Sequence, residues 1–219
     1  MRPRVKICCM ASVEEARLAV ECGASAVGLV SAMPSGPGPI AEELIAEIAA
    51  TVPPPVATFL LTCRQDAGSI IEQQRRCRVN TIQLCDRVGA EVYGELREAL
   101  RGVALVQVVH VGGEESLEEA LTVAPHVDAL LLDSGNQNLA VKELGGTGRT
   151  HDWRVSRRIV ERSPVPVFLA GGLKAENVAQ AFQAVRPFGL DLCSGVRTDG
   201  KLDADKLRRF FANIPTAAA

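Results

Sequence analysis

The sequence predicts an α/β protein, a single (β/α)8 TIM barrel with residues 1–219 as one domain. Three observations carry this. Eight short runs rich in Val, Ile and Leu alternate from end to end with eight longer segments of helical periodicity. The short runs are apolar at consecutive positions, as expected where helices cover one face of a parallel sheet and a packed interior the other. Eight such units fit a closed barrel better than an open sheet. An open doubly wound sheet stays possible, but it would place a GxGxxG turn after the first strand, and Cys8-Cys9-Met10-Ala11 is not one. No shift in composition marks a linker.

In chain order, the first strand is expected at residues 5–8 and the first helix at 12–22. Ser12 is its N-cap, Glu15 stands at the third helical position of a capping box, and Gly23 lies just past the end. A strand at 26–30 leads through a Pro/Gly loop to a helix at 42–50. The cadence continues with a strand at 56–61, a helix at 67–77, a strand at 81–84 and a helix at 92–101. Next come strand 103–109, helix 116–124 and strand 129–133, then a long glycine-containing loop at 134–150. Helix 152–163 is capped by Asp152. Strand 165–170, helix 176–185, strand 189–193 and helix 205–212 complete the chain.

Composition narrows the function classes. Hydrophobic residues make up 47% and charged residues 23%, ordinary for a globular chain and unlike disordered or fibrous sequences. A net charge of −2 gives no basic footprint for nucleic acid or an anionic membrane, and 4% aromatics leave little for base stacking. No apolar stretch is long enough to span a membrane. The seven cysteines (Cys8, Cys9, Cys22, Cys63, Cys77, Cys85 and Cys193) contain no CxxC pair, and the three histidines (His110, His126 and His151) have no zinc spacing. Reduced thiols in a cytoplasmic protein without metal or organic cofactor are therefore expected, in a monomer or homodimer.

In a barrel, chemistry belongs at the C-terminal strand ends. Period-two alternation puts Val5 and Ile7 against the outer helices and turns Lys6 and Cys8 inward, with Cys8 nearer the mouth. By the same parity Asp133 faces inward with Leu131, and Asp191 with Cys193. An inward thiol and an inward carboxylate at one mouth are a base and an acid, the pair needed for proton abstraction beside a carbonyl or imine. Gly171-Gly172 after the seventh strand and Ser194-Gly195 after the eighth suit a phosphate cradle of backbone N–H groups, where a Cβ would block close approach. The segment G-G-T-G-R-T at residues 145–150 reads as a flexible lid and lacks Walker spacing.

These residues resemble the phosphoribosylanthranilate isomerase family, (β/α)8 barrels of tryptophan biosynthesis that carry out an Amadori rearrangement. The family's opening K-I-C-G stands here as Lys6-Ile7-Cys8-Cys9, and its L-L-D-S strand end as Leu131-Leu132-Asp133-Ser134. Its G-G-T/S-G-K-T-F-D-W stands as G-G-T-G-R-T-H-D-W at 145–153. Its L-A-G-G-L…N-V is matched at 169–173 with Asn177-Val178, and its D-V-S-S-G-V at 191–196. The resemblance implies a phosphorylated small-molecule substrate. It makes Cys8 the general base at C2′ of the opened sugar and Asp133 the acid at the ring oxygen. Asp191 becomes the carboxylate near the substrate amine, and Gly171, Gly172, Ser194 and Gly195 the phosphate site.

The departures are equally specific. Cys9 replaces a glycine, and alternation points its side chain away from the reacting carbon, so Cys9→Gly is expected to be tolerated. V-Q-L-H-G becomes Ile82-Gln83-Leu84-Cys85-Asp86, without the histidine. The loop at 31–39 has neither Lys nor Arg, whereas the family carries a basic residue there for the anthranilate carboxylate. Arg149 is the candidate to replace that charge, and a cation introduced by Gly38→Arg is expected to restore it. Three readings follow: an isomerase of a phosphoribosyl amine, a related barrel isomerase with a different aglycone, or a non-catalytic phosphate-ligand binder. Retention of both Cys8 and Asp133 argues against the last.

Overall fold

The computed structural model describes residues 3–215. The strands β1 (Arg4–Ile7), β2 (Ala26–Val30), β3 (Ala57–Thr62), β4 (Thr81–Leu84), β5 (Ala104–His110), β6 (Ala129–Asp133), β7 (Val167–Leu169) and β8 (Gly189–Leu192) form a closed barrel in chain order. All neighbours are parallel, and β8 closes on β1 with Lys6 opposite Asp191 and Ile7 opposite Leu192. The helices α1 (Val13–Glu21), α2 (Glu42–Thr51), α3 (Ala67–Cys77), α4 (Ala90–Ala99), α5 (Glu115–Val123), α6 (Trp153–Arg162), α7 (Val178–Val185) and α8 (Ala204–Asn213) alternate with the strands. This is the (β/α)8 TIM barrel that the alternation predicts.

Strand parity divides the core in two. Val5, Ile7, Val27, Leu29, Leu60, Ile82, Leu130 and Leu132 pack under the helices. Ala26, Val30, Phe59, Leu61, Val106, Val108, Leu131 and Phe168 fill the interior with Cys8 and Cys85. Both sets are buried, which explains why the strands read as continuous apolar runs rather than alternating ones. Across the interior, Phe59 and Phe168 meet edge to face with ring centroids 6.1 Å apart. Gly189 leaves room for the Phe168 ring, which a Cβ there would meet at 2.5 Å.

Boundaries shift where local chemistry decides them. β7 is three residues long because Pro166 has no N–H to give the ladder; its carbonyl accepts from Leu130 instead, at 2.9 Å. β8 stops at Leu192, and a 3-10 turn (Ser194–Val196) and a small antiparallel hairpin of β9 (Arg197–Thr198) and β10 (Lys201–Leu202) follow it, an addition the apolar pattern did not announce. Ser12 caps α1, accepting the Glu15 N–H at 3.3 Å, and Gly23 follows with φ +104°. The other half of the capping box does not form. The Glu15 carboxylate accepts from Ala11 N–H at 3.0 Å and pairs with Arg197 at 2.9 Å, tying α1 to the segment after β8. No helix among the described residues is long and apolar enough to cross a membrane.

Candidate active site

The C-terminal strand ends open on a cavity that brings together Cys8, Asp133, Asp191, Gly171, Gly172 and Ser194. Cys8 follows β1 directly, and its N–H donates to Leu192 O at 2.8 Å, so the closure of the barrel fixes its height. Its sulfur sits over Gly28 of β2. A Cβ at Gly28 would lie 2.7 Å from Cys8 Sγ and 3.1 Å from Lys6 Nζ, so only glycine leaves both side chains their places. Gly28 belongs to the site although sequence parity did not single it out; a glycine in mid-strand was the available signal.

Asp133 ends β6. Its Oδ1 accepts from the Ser134 N–H at 2.7 Å, while Oδ2 faces the Cα of Gly145 in the loop above. Deeper in the barrel Lys6 Nζ lies 2.9 Å from Asp191 Oδ2 and 5.2 Å from the centre of the Phe59 ring. Burial opposes the Lys6 charge, but the carboxylate of Asp191 and the nearby Cys8 and Cys9 together outweigh it and hold the ammonium above its ordinary pKa. Burial likewise raises the Asp191 carboxyl, against the pull of Lys6. Asp191 Oδ1 is buried without a hydrogen-bond partner in the protein and belongs to a residue lining the cavity. That orphan acceptor suits a donor on a bound molecule.

Two loops cover the mouth. In the loop at 134–150, Thr147 Oγ1 lies 2.7 Å from Ser134 Oγ, and Ser134 Oγ donates to Arg149 O at 2.7 Å. Ser35 Oγ of the loop at 31–39 donates to Lys142 O at 2.6 Å, and Pro37 packs on Gly146, where a Cβ would meet it at 2.5 Å. The glycines read as a flexible lid are thus used for positive φ (+136°, +68° and +68° at Gly145, Gly146 and Gly148) and for close packing. Gly171 and Gly172 also have positive φ, and the backbone at 148–149 lies on them so closely that a Cβ on Gly172 would sit 2.9 Å from Arg149 C. Asn177 Nδ2 donates to Gly172 O at 2.9 Å and fixes this loop to the start of α7.

Two expectations need correction, those for Cys9 and for Gly38→Arg. Cys9 does not point away from the mouth. It has φ +64°, which ends the alternation and turns its side chain into the cavity lining, against Gly38 and Cys193. Gly38 has φ +92°, and a Cβ on it would lie 2.6 Å from Cys9 Cβ, so Gly38→Arg has no room to restore a cation. Arg149 pairs with Glu143, has a 59% exposed side chain, and borders a separate cavity beside His110 and Asn136. Gly195 sits beside Ser194 in the turn after β8, its Cα against Leu173 O. Among the described residues, no Lys, Arg or His lines the cavity that holds Cys8 and Asp133.

Other polar groups frame the site. Gln83 and Cys85 of the β4 end line it, and burial pushes the Cys85 thiol well up. His151 Nε2 lies 2.7 Å from Ser156 Oγ, and burial lowers its pKa. Arg197 behind the mouth binds the backbone carbonyls of Cys9 and, at 3.5 Å, Cys8. Among the described residues no group of three or more His, Cys, Asp or Glu is placed to hold a metal ion.

Comparison with known proteins identifies the family. The family model for N-(5′phosphoribosyl)anthranilate (PRA) isomerase matches residues 5–213. The N-(5′-phosphoribosyl)anthranilate isomerase of Halorubrum lacusprofundi is 38% identical over 213 residues, covering 96% of this chain and 95% of that one. The crystal structure of phosphoribosyl anthranilate isomerase from Thermotoga maritima superposes with a TM-score of 0.82 at 31% identity, over 97% of this chain and 98% of that one. A phosphoribosyl anthranilate isomerase in complex with reduced 1-(o-carboxyphenylamino)-1-deoxyribulose 5-phosphate does so with 0.79 at 30% identity, with the same coverage. With that extent of match to its barrel and its sequence, the chain belongs to the N-(5′-phosphoribosyl)anthranilate isomerase family.

Proposed function

We propose that the protein is an aldose–ketose isomerase of a phosphoribosyl amine, acting in the cytoplasm as in tryptophan biosynthesis. The observation that carries this is one cavity lined at once by a buried thiol, a buried carboxyl and a glycine loop turned toward it. In this reading Asp133 gives a proton to the furanose ring oxygen, the C1′–O bond breaks, and the nitrogen lone pair forms the imine. Cys8 as thiolate then removes the C2′ proton, and the electrons move to nitrogen to give an enolamine that tautomerises to the ketone. The proton count is unchanged, so no oxidant, reductant or organic cofactor is needed. Asp191 Oδ1 accepts from the substrate amine, and the backbone of Gly171, Gly172, Ser194 and Gly195 holds the phosphate. The relative solved with a carboxyphenylamino-deoxyribulose phosphate supports a ligand of this shape.

A second reading concerns the aglycone. A benzoate-type carboxylate in this cavity would meet no cationic side chain, because Lys142 is held by Asp86 at 2.5 Å and Arg149 by Glu143. A charge-assisted hydrogen bond is worth about 1.5–3 kcal/mol, roughly one to two decades in binding. In this second reading the natural substrate is a phosphoribosyl amine without that carboxylate, in place of the anthranilate compound. Turnover of N-(5′-phosphoribosyl)anthranilate, followed by loss of its fluorescence, against turnover of the corresponding aniline tests both readings. Isomerisation of either supports the reaction class, and a lower KM for the aniline supports the neutral aglycone. No turnover of either compound refutes the first reading, and a low micromolar KM for the anthranilate refutes the second.

A further inference from the structure

Seven cysteines are more than the proposed reaction uses, and two of the unused ones stand together at the mouth. Cys9 follows β1 and Cys193 follows β8, the two strands that close the barrel. Their sulfurs are 2.7 Å apart, inside van der Waals contact and within about 0.7 Å of disulfide bond length. Cys9 holds this position at φ +64°, in a conformation that favours glycine, with its S–H also directed at Pro37 O at 3.7 Å. Both side chains line the open cavity, Cys9 buried and Cys193 half-buried.

The surroundings make the two thiols unequal. The contact with Cys9 and the nearby Arg197 guanidinium lower the Cys193 pKa, while the same contact raises that of Cys9. Arg197 is itself fixed by Glu15 and by the Cys9 carbonyl, and its Nε is buried without a hydrogen-bond partner in the protein. An attacking thiolate beside a protonated resolving thiol is the arrangement that reacts with peroxide and then closes.

We propose that Cys9 and Cys193 are an oxidisable dithiol that closes to a disulfide between the β1 and β8 ends and takes oxidant before Cys8. The oxidant is a two-electron peroxide. The Cys193 thiolate attacks one oxygen of hydrogen peroxide, breaking the O–O bond to give a sulfenic acid and hydroxide. The Cys9 sulfur then attacks the sulfenic sulfur, and the released hydroxide leaves as water with the Cys9 proton. The sum is two thiols and one peroxide to one disulfide and two waters. A dithiol reductant reverses it. The bond links residues 184 positions apart and staples the first strand of the barrel to the last. Its benefit to Cys8 rests on the reading of Cys8 as the base, whereas formation of the bond does not.

The test treats the full-length reduced protein with one equivalent of hydrogen peroxide, then alkylates it under denaturing conditions. The expected product has five of its seven thiols alkylated, a Cys9–Cys193 cross-link identified by peptide fragmentation, and Cys8 among the alkylated residues. Its melting temperature exceeds that of the reduced protein by about 5–10 °C, and dithiothreitol abolishes the difference. Cys193→Ser and Cys9→Gly should each lose the cross-link, while Cys22→Ser keeps it. Measured against its own untreated activity, Cys193→Ser should lose turnover several-fold faster under peroxide than the unsubstituted protein. A disulfide joining any other pair, or all seven thiols alkylated after treatment, overturns the proposal. Oxidation of Cys8 while Cys9 and Cys193 stay reduced also overturns it. A cross-link formed by a protein that turns over no phosphoribosyl amine would leave the dithiol standing and remove only its link to catalysis.

Discussion

Gly28→Ala tests how tightly the barrel positions the thiol of Cys8 without replacing any reacting group. The added Cβ would lie 2.7 Å from Cys8 Sγ and 3.1 Å from both Cys8 Cα and Lys6 Nζ. The backbone of β1 is held in register by β8, so the sulfur is the atom free to yield. Reaching the near edge of ordinary contact requires it to move by about 0.7 Å. A displacement near 1 Å in a proton-transfer geometry costs roughly 10²-fold, so kcat for isomerisation should fall about 10- to 100-fold with KM little changed. The overpacking should also lower stability by about 1–3 kcal/mol, leaving a folded protein. Gly189→Ala is the control. Its Cβ would meet the Phe168 ring at 2.5 Å, on the strand pair at the opposite end of the barrel, so stability should fall similarly while kcat holds. Circular dichroism and urea denaturation establish folding, and steady-state kinetics establish the rest. A folded Gly28→Ala variant with kcat within about twofold of the unsubstituted protein would refute the positioning argument.

Three further outcomes follow from the packing and charge of the site. Gly38→Ala should cost about 2–4 kcal/mol in urea denaturation, from backbone strain at φ +92° and overlap with Cys9, and at least about 1 kcal/mol less in a Cys9→Gly background; additivity within about 0.5 kcal/mol would contradict the contact. Lys6→Met leaves Asp191 buried and unpaired and should destabilise by about 3–5 kcal/mol, with much of it recovered in Lys6→Met/Asp191→Leu; a double variant no better than the single one refutes this. His151 is held below its ordinary pKa of 6.5 by burial, so the unfolded chain takes up its proton first as pH falls. Its contribution to stability is complete above about pH 6.5 and is lost as pH falls toward the folded value, and His151→Gln should flatten that slope in urea midpoints between about pH 7.5 and 5. An unchanged slope refutes it.

The barrel was legible because a buried parallel strand leaves two signals at once: continuous apolarity and, within it, the few polar residues that parity turns inward. Lys6, Cys8, Asp133 and Asp191 lie where that parity puts them, and Lys6 and Asp191 also meet across the β1–β8 seam. Parity holds only while the strand does. β1 ends at Ile7, and the left-handed turn at Cys9 carries the next side chain into the mouth, where alternation cannot follow it. Arg149 meets a related limit. Its place in a glycine-rich loop said that it was near the mouth, but the partner that captures it, Glu143, is decided by how the loop packs. Arg197 was invisible because its role depends on meeting Glu15 from 182 residues away. The glycines at 28, 38 and 146 carry information of another kind. Each marks a place where a second chain segment comes too near for a Cβ, and the sequence does not name that segment.

The most direct test of the account is kcat of Cys8→Ala on the phosphoribosyl amine that the unsubstituted protein isomerises fastest. With Cys8 as the base at C2′, kcat should drop by about 10²–10⁴-fold while KM stays close to its original value and the protein stays folded. A Cys8→Ala variant that isomerises this substrate at the original rate would contradict the assignment of proton abstraction to the thiol at the end of β1.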